Sequence, residues 1–357
     1  MWYNTSVTRL LGIDYPIFQG PFGGNLSTIR LASTVSNMGG LGGHGAYTMT
    51  PAEIVRLGRD MSEATSRPYN INLWVSNNDI PQGGLTDARF GEALTFFRSY
   101  FEEMGVALPE KPGVQVISFE DQVQAILDAR PPVFSFVFGI PSADVLEQCR
   151  QRGIVTAGAA TTLDEALALD AAGVDIIVAS GFEAGGHRPS FLGAAETSLV
   201  GTFVLVQQIK ARVRTPVIAA GGIATGKGIA AALTLGADGV QVGTAFLACE
   251  ESGAPAFHRE LLFSDRARYS VLTKAFSGRL GRGLMNRIAL ETIGREDALL
   301  PFPLQSRLMG GLRKAAMEQN KPELFFAWGG QIATELRYHT AAELMKALID
   351  EAGLILP

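Results

Sequence analysis

The stretch that decides the fold runs from Val174 to Phe191 and reads Val-Asp-Ile-Ile-Val-Ala-Ser-Gly-Phe-Glu-Ala-Gly-Gly-His-Arg-Pro-Ser-Phe. Its first six residues are apolar apart from Asp175 and largely β-branched, which predicts a buried strand. The residues that follow form a glycine-rich loop with a single imidazole, His187. Parallel α/β folds place their chemistry at such strand ends, and glycine lets the backbone approach a flat ligand closely. A surface loop whose histidine makes only a local hydrogen bond is the alternative.

Strands of the same kind recur on both sides of this stretch, separated by helical patterns. Short apolar runs are found at residues 16–20, 39–46, 69–75, 133–139, 153–160, 174–179, 216–222 and 239–246. Eight buried strands alternating with helices predict an α/β fold of the (β/α)8 TIM barrel type. An open doubly wound sheet is the alternative, but Gly-Pro-Phe-Gly-Gly at residues 20–24 is not the GxGxxG loop that such a sheet requires.

Two segments interrupt this repeat. Residues 250–330 are more polar, hold most of the clustered arginines and lack strand-like alternation, so we predict a smaller, mainly helical second domain. It precedes the last predicted helix, residues 331–348, which would return to close the barrel. The barrel domain would therefore comprise residues 1–249 and 331–357. A polar piece that leads into an aromatic helical stretch indicates a further insertion at about residues 76–111.

Composition excludes several classes of function. The chain has 357 residues and a net charge of −5, which argues against a general affinity for nucleic acid or for an anionic membrane surface. Cys149 and Cys249 are too few for a disulfide framework, and no metal-ligand spacing stands out. The N-terminus has no secretory pattern, and the apolar runs are too short to span a membrane, so we expect a cytoplasmic protein.

Two glycine-rich strand ends late in the chain predict a phosphate site. Gly221 and Gly222 end the seventh predicted strand, and Gly243 and Thr244 lie near the end of the eighth. The loops after these two strands of a (β/α)8 barrel often bind phosphate through backbone N–H groups and a helix N-terminus. We expect residues 225–227, Thr-Gly-Lys, which open the next helix, to take part. Tight turning of the chain alone is the alternative.

A phosphate bound there would place the rest of a mononucleotide across the barrel mouth. Gln19, Asn72 and the region of Ser180 would then meet its rings from the ends of the first, third and sixth strands. Amide side chains suit this task because they both donate and accept hydrogen bonds. For Asn72, a role in a turn or a helix cap is an equal alternative.

His187 would lie over the same mouth. An imidazole near its free pKa can take a proton from a carbon acid, or it can hold a neutral N–H against an anionic substrate. Glu183 is a candidate second acid or base, but we favour a solvated loop carboxylate. We expect the other three histidines, His44, His258 and His339, to be structural.

Several motifs spread over nearly the whole chain match those of one family. They are residues 16–21 (PIFQGP), 39–42 (GGLG), 183–188 (EAGGHR), 220–224 (AGGIA), 236–244 (GADGVQVGT), 273–279 (TKAFSGR) and 327–331 (AWGGQ). Through them the chain resembles the nitronate monooxygenase family, formerly called 2-nitropropane dioxygenases, whose members are FMN-dependent barrels. The Gly-Gly-His element is specific to the superfamily.

The resemblance implies roles for individual residues. His187 would be the catalytic histidine, and Gly222, Gly243 and Thr244 would hold the FMN phosphate. The other implied cofactor contacts are Gln19, Gly20, Pro21, Phe22, Asn72, Ser180, Gly185, Gly186 and Gly221. Some relatives carry a lysine or glutamine near the end of the fifth strand, where this chain has Gly158-Ala159-Ala160. A flavin contact from that strand is therefore in doubt.

The implied activity is oxidation of small alkyl nitronates by O2, with FMN as cofactor, to carbonyl compounds and nitrite. Residues 274–287 would cover the site or favour an anionic substrate, with a solvated helical face as the alternative. The same superfamily includes FMN-dependent enoyl-acyl-carrier-protein reductases, which share the Gly-Gly-His loop and use a nicotinamide cofactor. Such a reductase is the alternative function, and a flavin-binding barrel without turnover is a third. A monomer and a homodimer both stay open.

Overall fold

The computed structural model describes residues 1–76, 79–80, 84–113 and 117–356. Eight strands form one parallel sheet: β1 Ile17–Gln19, β2 Gly42–Gly45, β3 Tyr69–Trp74, β4 Val133–Val137, β5 Val155–Ala160, β6 Ile176–Ser180, β7 Val217–Ala220 and β8 Gly239–Val242. The α-helices are Ser6–Leu11, Ile29–Asn37, Pro51–Ala64, Asp87–Glu103, Phe119–Ala129, Ala143–Gln151, Leu163–Ala172, Thr202–Lys210, Gly226–Thr234, Thr244–Leu247, Ala256–Leu262, Arg287–Glu291, Leu304–Glu318 and Ala341–Ile355. Short 3-10 turns lie at Ala195–Thr197, Asp265–Arg268, Glu296–Ala298 and Gln331–Glu335.

The sheet closes on itself, which confirms the predicted TIM barrel. Its strand order is β1-β8-β7-β6-β5-β4-β3-β2, so the two ends of the order are β1 and β2. These ends meet at a parallel bridge between Phe18 and Leu41. Two backbone hydrogen bonds of 2.9 Å, from Gln19 N to Leu41 O and from Leu41 N to Ile17 O, complete the ring.

Each barrel strand is buried on both faces because the ring has a packed interior and a coat of helices. Along β6, Ile176 and Val178 point into the interior cluster, and Ile177 and Ala179 pack in the cluster under the helices. Such a strand shows an unbroken apolar run in its sequence. That is why the strands could be predicted from the residues.

Residues 250–330 differ from the sequence prediction because they contain a β-hairpin as well as helices. Strands β9 (Ser270–Thr273) and β10 (Gly281–Leu284) pair antiparallel, and β10 also pairs with the two-residue strand Gly186–His187. The sequence of β10, Gly-Arg-Gly-Leu, shows no usual alternation because Gly281 and Gly283 leave room for aromatic rings of other segments. The boundaries of a separate domain here stay a prediction.

The structure differs from the predicted elements at three places. It contains the helix Ala143–Gln151, which was not predicted, although the side chain of Ser142 caps it by accepting a hydrogen bond from Val145 N. The eighth strand ends at Val242 and a helical turn begins at Thr244, where a strand was predicted through residue 246. The last helix begins at Ala341, after the 3-10 turn Gln331–Glu335, and not at residue 331.

The insertion packs against the hairpin-containing segment. The helix Asp87–Glu103 buries Ala93, Phe97 and Phe101 in a cluster shared with the helix Leu304–Glu318. Within the predicted insertion, residues 77–78 and 81–83 lie outside the described residues. Among the helices that are described, none combines the length and the apolar character needed to cross a bilayer.

Candidate active site

A cavity of about 660 Å³ lies between the carboxyl ends of the barrel strands and residues 276–330. Its volume is in the range of pockets that bind small molecules and cofactors. Of the thirteen residues predicted for the site, all but Gln19 line this cavity: Gly20, Pro21, Phe22, Asn72, Ser180, Gly185, Gly186, His187, Gly221, Gly222, Gly243 and Thr244. Residues from five barrel-strand ends are thus brought to one place, as the fold requires.

Gln19 does not reach the cavity wall. Its side-chain amide donates to Gly20 O, and its Oε1 accepts from Gly43 N at 2.8 Å. The side chain is 1% exposed and holds neighbouring barrel backbone together. The sequence placed Gln19 at a strand end but could not show that backbone groups would satisfy its amide.

The glycine-rich ends of β7 and β8 form a cradle of backbone amides. Gly221 and Gly222 have φ values of +105° and +71°, which favour glycine. Within the described chain, the N–H groups of Gly222, Ile223, Gly243 and Thr244 donate no hydrogen bond to the protein. Unused N–H groups of residues that line one cavity can bind an anion such as phosphate.

Residues 225–227 were predicted to take part in the phosphate site, and this prediction needs correction because a residue of the last helix binds there. Glu351 accepts a hydrogen bond from Gly226 N at 2.9 Å and so occupies the N-terminus of the helix Gly226–Thr234. Thr225, Gly226 and Lys227 do not line the cavity. Thr244 does line it, and its Oγ1 accepts from Gly330 N at 2.9 Å.

Asn72 presents one face of its amide to the cavity. Its Nδ2 donates to Ser135 Oγ at 2.9 Å, and its Oδ1 has no partner within the described part of the chain. Asn72 lies inside β3, so the alternative turn or cap role does not apply. Ala159 is the residue of β5 on the cavity wall, and it offers a methyl group where a polar contact was already in doubt.

His187 is held at the cavity by strand pairing and by aromatic rings. It pairs with Gly281 of β10, and its Nε2 lies 2.8 Å from Ser277 Oγ. The rings of Trp328 and Trp74 have their centroids 4.8 and 5.3 Å from that of the imidazole. Burial, and to a smaller extent the cation of Arg279, lowers the pKa of His187 from 6.5 to about 3. The imidazole is therefore neutral at pH 7.

Buried charged groups fix the loop on both sides of His187. The guanidinium of Arg188 donates to Ser180 O at 3.0 Å and to Ser198 O at 2.8 Å. The carboxylate of the fully buried Glu165 accepts from Phe191 N at 2.6 Å. The loop is thus tied to the end of its own strand and to the neighbouring helix, which limits its freedom to move.

Glu183 is neither a solvated carboxylate nor a free acid. It accepts from Thr202 N at 2.9 Å and from Thr202 Oγ1 at 2.8 Å. This carboxylate lies at the N-terminus of the helix Thr202–Lys210, where negative charge is stabilising and where Gly201 offers no side-chain cap. We therefore assign Glu183 a structural role beside the cradle.

The basic segment 274–287 is not a solvated helical face, and two of its residues, Phe276 and Ser277, line the cavity. Arg279 is 7% exposed, and its guanidinium makes two hydrogen bonds of 2.7 Å to Asp79. It stacks 4.3 Å from the ring centroid of Phe138 and 4.6 Å from that of Phe302. Its charge is paired with Asp79, so this arginine is not free to bind a substrate anion.

Arg313, by contrast, lines the cavity and is free to bind an anion. Arg313, on the helix Leu304–Glu318, has no hydrogen bond or ion pair among the described residues. Its guanidinium lies 5.4 Å from the ring centroid of Phe325. Arg313 could not be singled out from the sequence, because it lies in a helix with many other polar residues.

The sequence also missed most of the distal wall of the cavity. Ser277, Phe302 and Trp328 all approach His187, although they lie 90 to 141 positions further along the chain. The motifs at residues 273–279 and 327–331 contain two of them. These motifs were the signal available, but they carried no indication of contact with His187.

Comparisons with known proteins gave matches along nearly the whole chain. The family described as nitronate monooxygenase matches residues 4–351. A probable nitronate monooxygenase of Staphylococcus haemolyticus (strain JCSC1435) is 36% identical over 358 residues, covering 100% of this chain and 99% of that protein. The solved structure of nitroalkane oxidase from Streptomyces ansochromogenes has a TM-score of 0.87 at 33% identity and covers 98% of both chains. FabK from Thermotoga maritima has a TM-score of 0.75 at 26% identity, covering 99% of this chain and 97% of that one.

Proposed function

This chain belongs to the nitronate monooxygenase family, and we propose that it is an FMN-dependent enzyme that oxidises alkyl nitronates with O2 to carbonyl compounds and nitrite. The observation that carries the proposal is the shared cavity. An anion cradle of unused backbone amides and a neutral, partly accessible histidine line the same space of about 660 Å³.

The residues present fit FMN. The amides of Gly222, Ile223, Gly243 and Thr244 would receive its phosphate, since they have no protein partner within the described chain. The free Oδ1 of Asn72 would accept a hydrogen bond from an N–H on the edge of the flavin ring. Bound FMN would supply the redox chemistry by taking electrons from the substrate and passing them to O2.

The protein would bind the substrate and control its charge. A nitronate is an anion, and Arg313 is an unpaired cation on the wall of the same cavity. The rings of Trp74, Phe302 and Trp328 lie around His187 and leave its imidazole only partly exposed. In this partly enclosed site the charge of His187 and that of a bound anion would depend on each other.

Anaerobic mixing tests the proposal. Purified protein is combined with an alkyl nitronate in one sample and with NADH or NADPH in another, and flavin absorbance is followed. We expect bleaching by the nitronate alone, then nitrite release after air is admitted. A flavin spectrum that the nitronate never changes contradicts the proposal. Bleaching by a nicotinamide coupled to an enoyl thioester would indicate the reductase, and no change with either donor would indicate a flavin-binding barrel.

A further inference from the structure

We propose that Ser277 is a positioning residue that holds His187 as the tautomer protonated on Nε2, so that Nδ1 takes a proton from the α-carbon of a neutral nitroalkane. This inference rests on the proposed function. What it adds to that function is a positioning role for a residue of the distal cavity wall.

The tautomer follows from the single proton of the Ser277 hydroxyl. Ser277 Oγ donates to Arg279 O at 3.0 Å and also accepts from Arg279 N at 3.3 Å. No other group of the described chain donates to Arg279 O. If the hydroxyl turned its proton to His187, this buried carbonyl would lose its partner, at a typical cost of about 1–3 kcal/mol. The hydroxyl therefore offers a lone pair to Nε2, and Nε2 must carry the hydrogen.

The other ring nitrogen is left open to the cavity. Nδ1 of His44 and Nδ1 of His258 are sealed from solvent without a partner, whereas Nδ1 of His187 is not. His187 lines the cavity, and no described group donates to its Nδ1 or accepts from it. In the tautomer fixed by Ser277, this nitrogen presents a lone pair to any bound substrate. A lone pair repels the oxygens of an anion but suits an acidic C–H group.

Backbone packing keeps Ser277 in place. Ser277 is 3% exposed, and the next residue, Gly278, has a φ of +88°. A Cβ on Gly278 would come within 2.4 Å of Phe302 N, so the turn fits tightly against the neighbouring segment. The strand Gly186–His187 is paired with β10 only a few residues further on. Both partners of the hydrogen bond are thus carried by elements that are joined to each other.

The proton transfer balances without a further reactant. The C–H bond at the α-carbon breaks, its proton forms an N–H bond at Nδ1, and its electron pair moves onto the nitro group to give the nitronate. The imidazolium then lies beside the anion that it has produced. That anion offsets the burial that disfavours the charged ring in the empty cavity.

The first test reads the tautomer directly. The holoprotein is labelled with 15N-histidine, and long-range 1H–15N correlations assign the protonated ring nitrogen of each histidine. His187→Gln identifies the His187 signals by their loss. We expect Nε2–H, with Nδ1 unprotonated, at pH 7. Nδ1–H, or rapid exchange between both tautomers, overturns the proposal whatever the variants do.

The second test separates the two substrate types. Ser277→Ala removes the hydroxyl, and Ser277→Thr is the matched control that keeps it. For Ser277→Ala we expect kcat with a neutral nitroalkane to fall at least about 10-fold further than kcat with the preformed nitronate, because only the former requires Nδ1 as a base. Equal losses with both substrates would overturn the role in proton transfer. Protein that uses neither substrate contradicts the proposed function, but the tautomer is still decided by the spectrum.

Discussion

His187 differs from His258 in its second ring nitrogen, because Nδ1 is sealed from solvent in His258 but not in His187. Both are enclosed by protein, and burial is the main reason that both have a lowered pKa. Nε2 of His258 donates to Trp328 O, and its Nδ1 is buried without a partner among the described residues. His258 therefore has a structural role. The sequence distinguished the two, because only His187 follows a glycine-rich strand end, and a catalytic role for His187 stays a prediction. The partner of His187 could not be predicted, since Ser277 lies 90 residues away.

We predict that His187→Ala retains FMN and loses turnover of a neutral nitroalkane. The cradle amides are independent of the imidazole, so the cofactor should stay bound, while a general base typically contributes on the order of 10²- to 10⁴-fold. Flavin absorbance and nitrite production measure the two effects. His187→Gln is the control that fills more of the space left by the ring. Intact turnover of the nitroalkane in either variant would show that the imidazole does not act as the base.

Replacing Arg313 should weaken the capture of an anionic substrate. We predict that Arg313→Gln raises KM for an alkyl nitronate about 5- to 10-fold with little change in kcat, because the charge attracts substrate and transition state alike. Initial rates at low and high salt measure this. Lys227→Gln is the matched control, since Lys227 is exposed and outside the cavity. Equal KM values for Arg313→Gln and the wild type would remove Arg313 from substrate binding.

Acid should destabilise the protein through its buried histidines. The pKa of His258 is lowered from 6.5 to about 4 by burial, so the unfolded chain binds more protons than the native state between these values. Stability is therefore full above about pH 6.5 and falls as the pH drops toward 4, by on the order of 3 kcal/mol for this residue. The free energy of unfolding of His258→Gln, measured with urea at several pH values, should change less with pH than that of the wild type. His339 is exposed, so His339→Gln is the control. The same pH dependence of the free energy of unfolding in both variants would contradict the prediction.

At the scale of elements, the barrel helices were predictable where their caps are local. Thr50 and Glu53 form a capping box around Pro51, and Thr162 caps its helix through Glu165 N. The β9–β10 hairpin was not predictable. Two positions of β10 are glycine, which does not favour a strand, because the rings of Trp328 and Phe326 occupy the space beside Gly281 and Gly283. Long-range packing, and not local preference, decides that segment. The same hairpin supplies the strand that pairs with His187.

The loop that carries His187 should be sensitive to one methyl group. A Cβ on Gly185 would lie 2.6 Å from Gly330 N and 2.7 Å from Gly329 C, which are backbone atoms that cannot move aside easily. We predict that Gly185→Ala lowers stability by about 1–3 kcal/mol and weakens FMN binding. Gly91→Ala is the control, because a Cβ there meets nothing within 4 Å. In that helix alanine should stabilise by up to about 1 kcal/mol. Unchanged FMN affinity in Gly185→Ala would contradict the packing of this loop.

At the scale of the whole molecule, the cavity forms where two apolar clusters meet. One cluster lies around the barrel strands, and the other joins the helices Asp87–Glu103 and Leu304–Glu318. The barrel could be predicted because the burial of each strand is visible as an apolar run in its own sequence. The second cluster could not, because it joins segments about 200 residues apart in sequence, such as Phe97 and Met309. The barrel half of the site was therefore predictable, and the distal half was not.

We infer that the glycine-rich ends of β7 and β8 bind the phosphate of FMN and so place its ring in the cavity with His187. Fluorescence titration of protein freed of bound ligand, with FMN and with riboflavin in parallel, measures this binding. We predict one FMN per chain and binding of riboflavin at least about 10-fold weaker, because riboflavin leaves the cradle amides unpaired. Equal affinity for the two ligands, or no binding of FMN, would contradict the account.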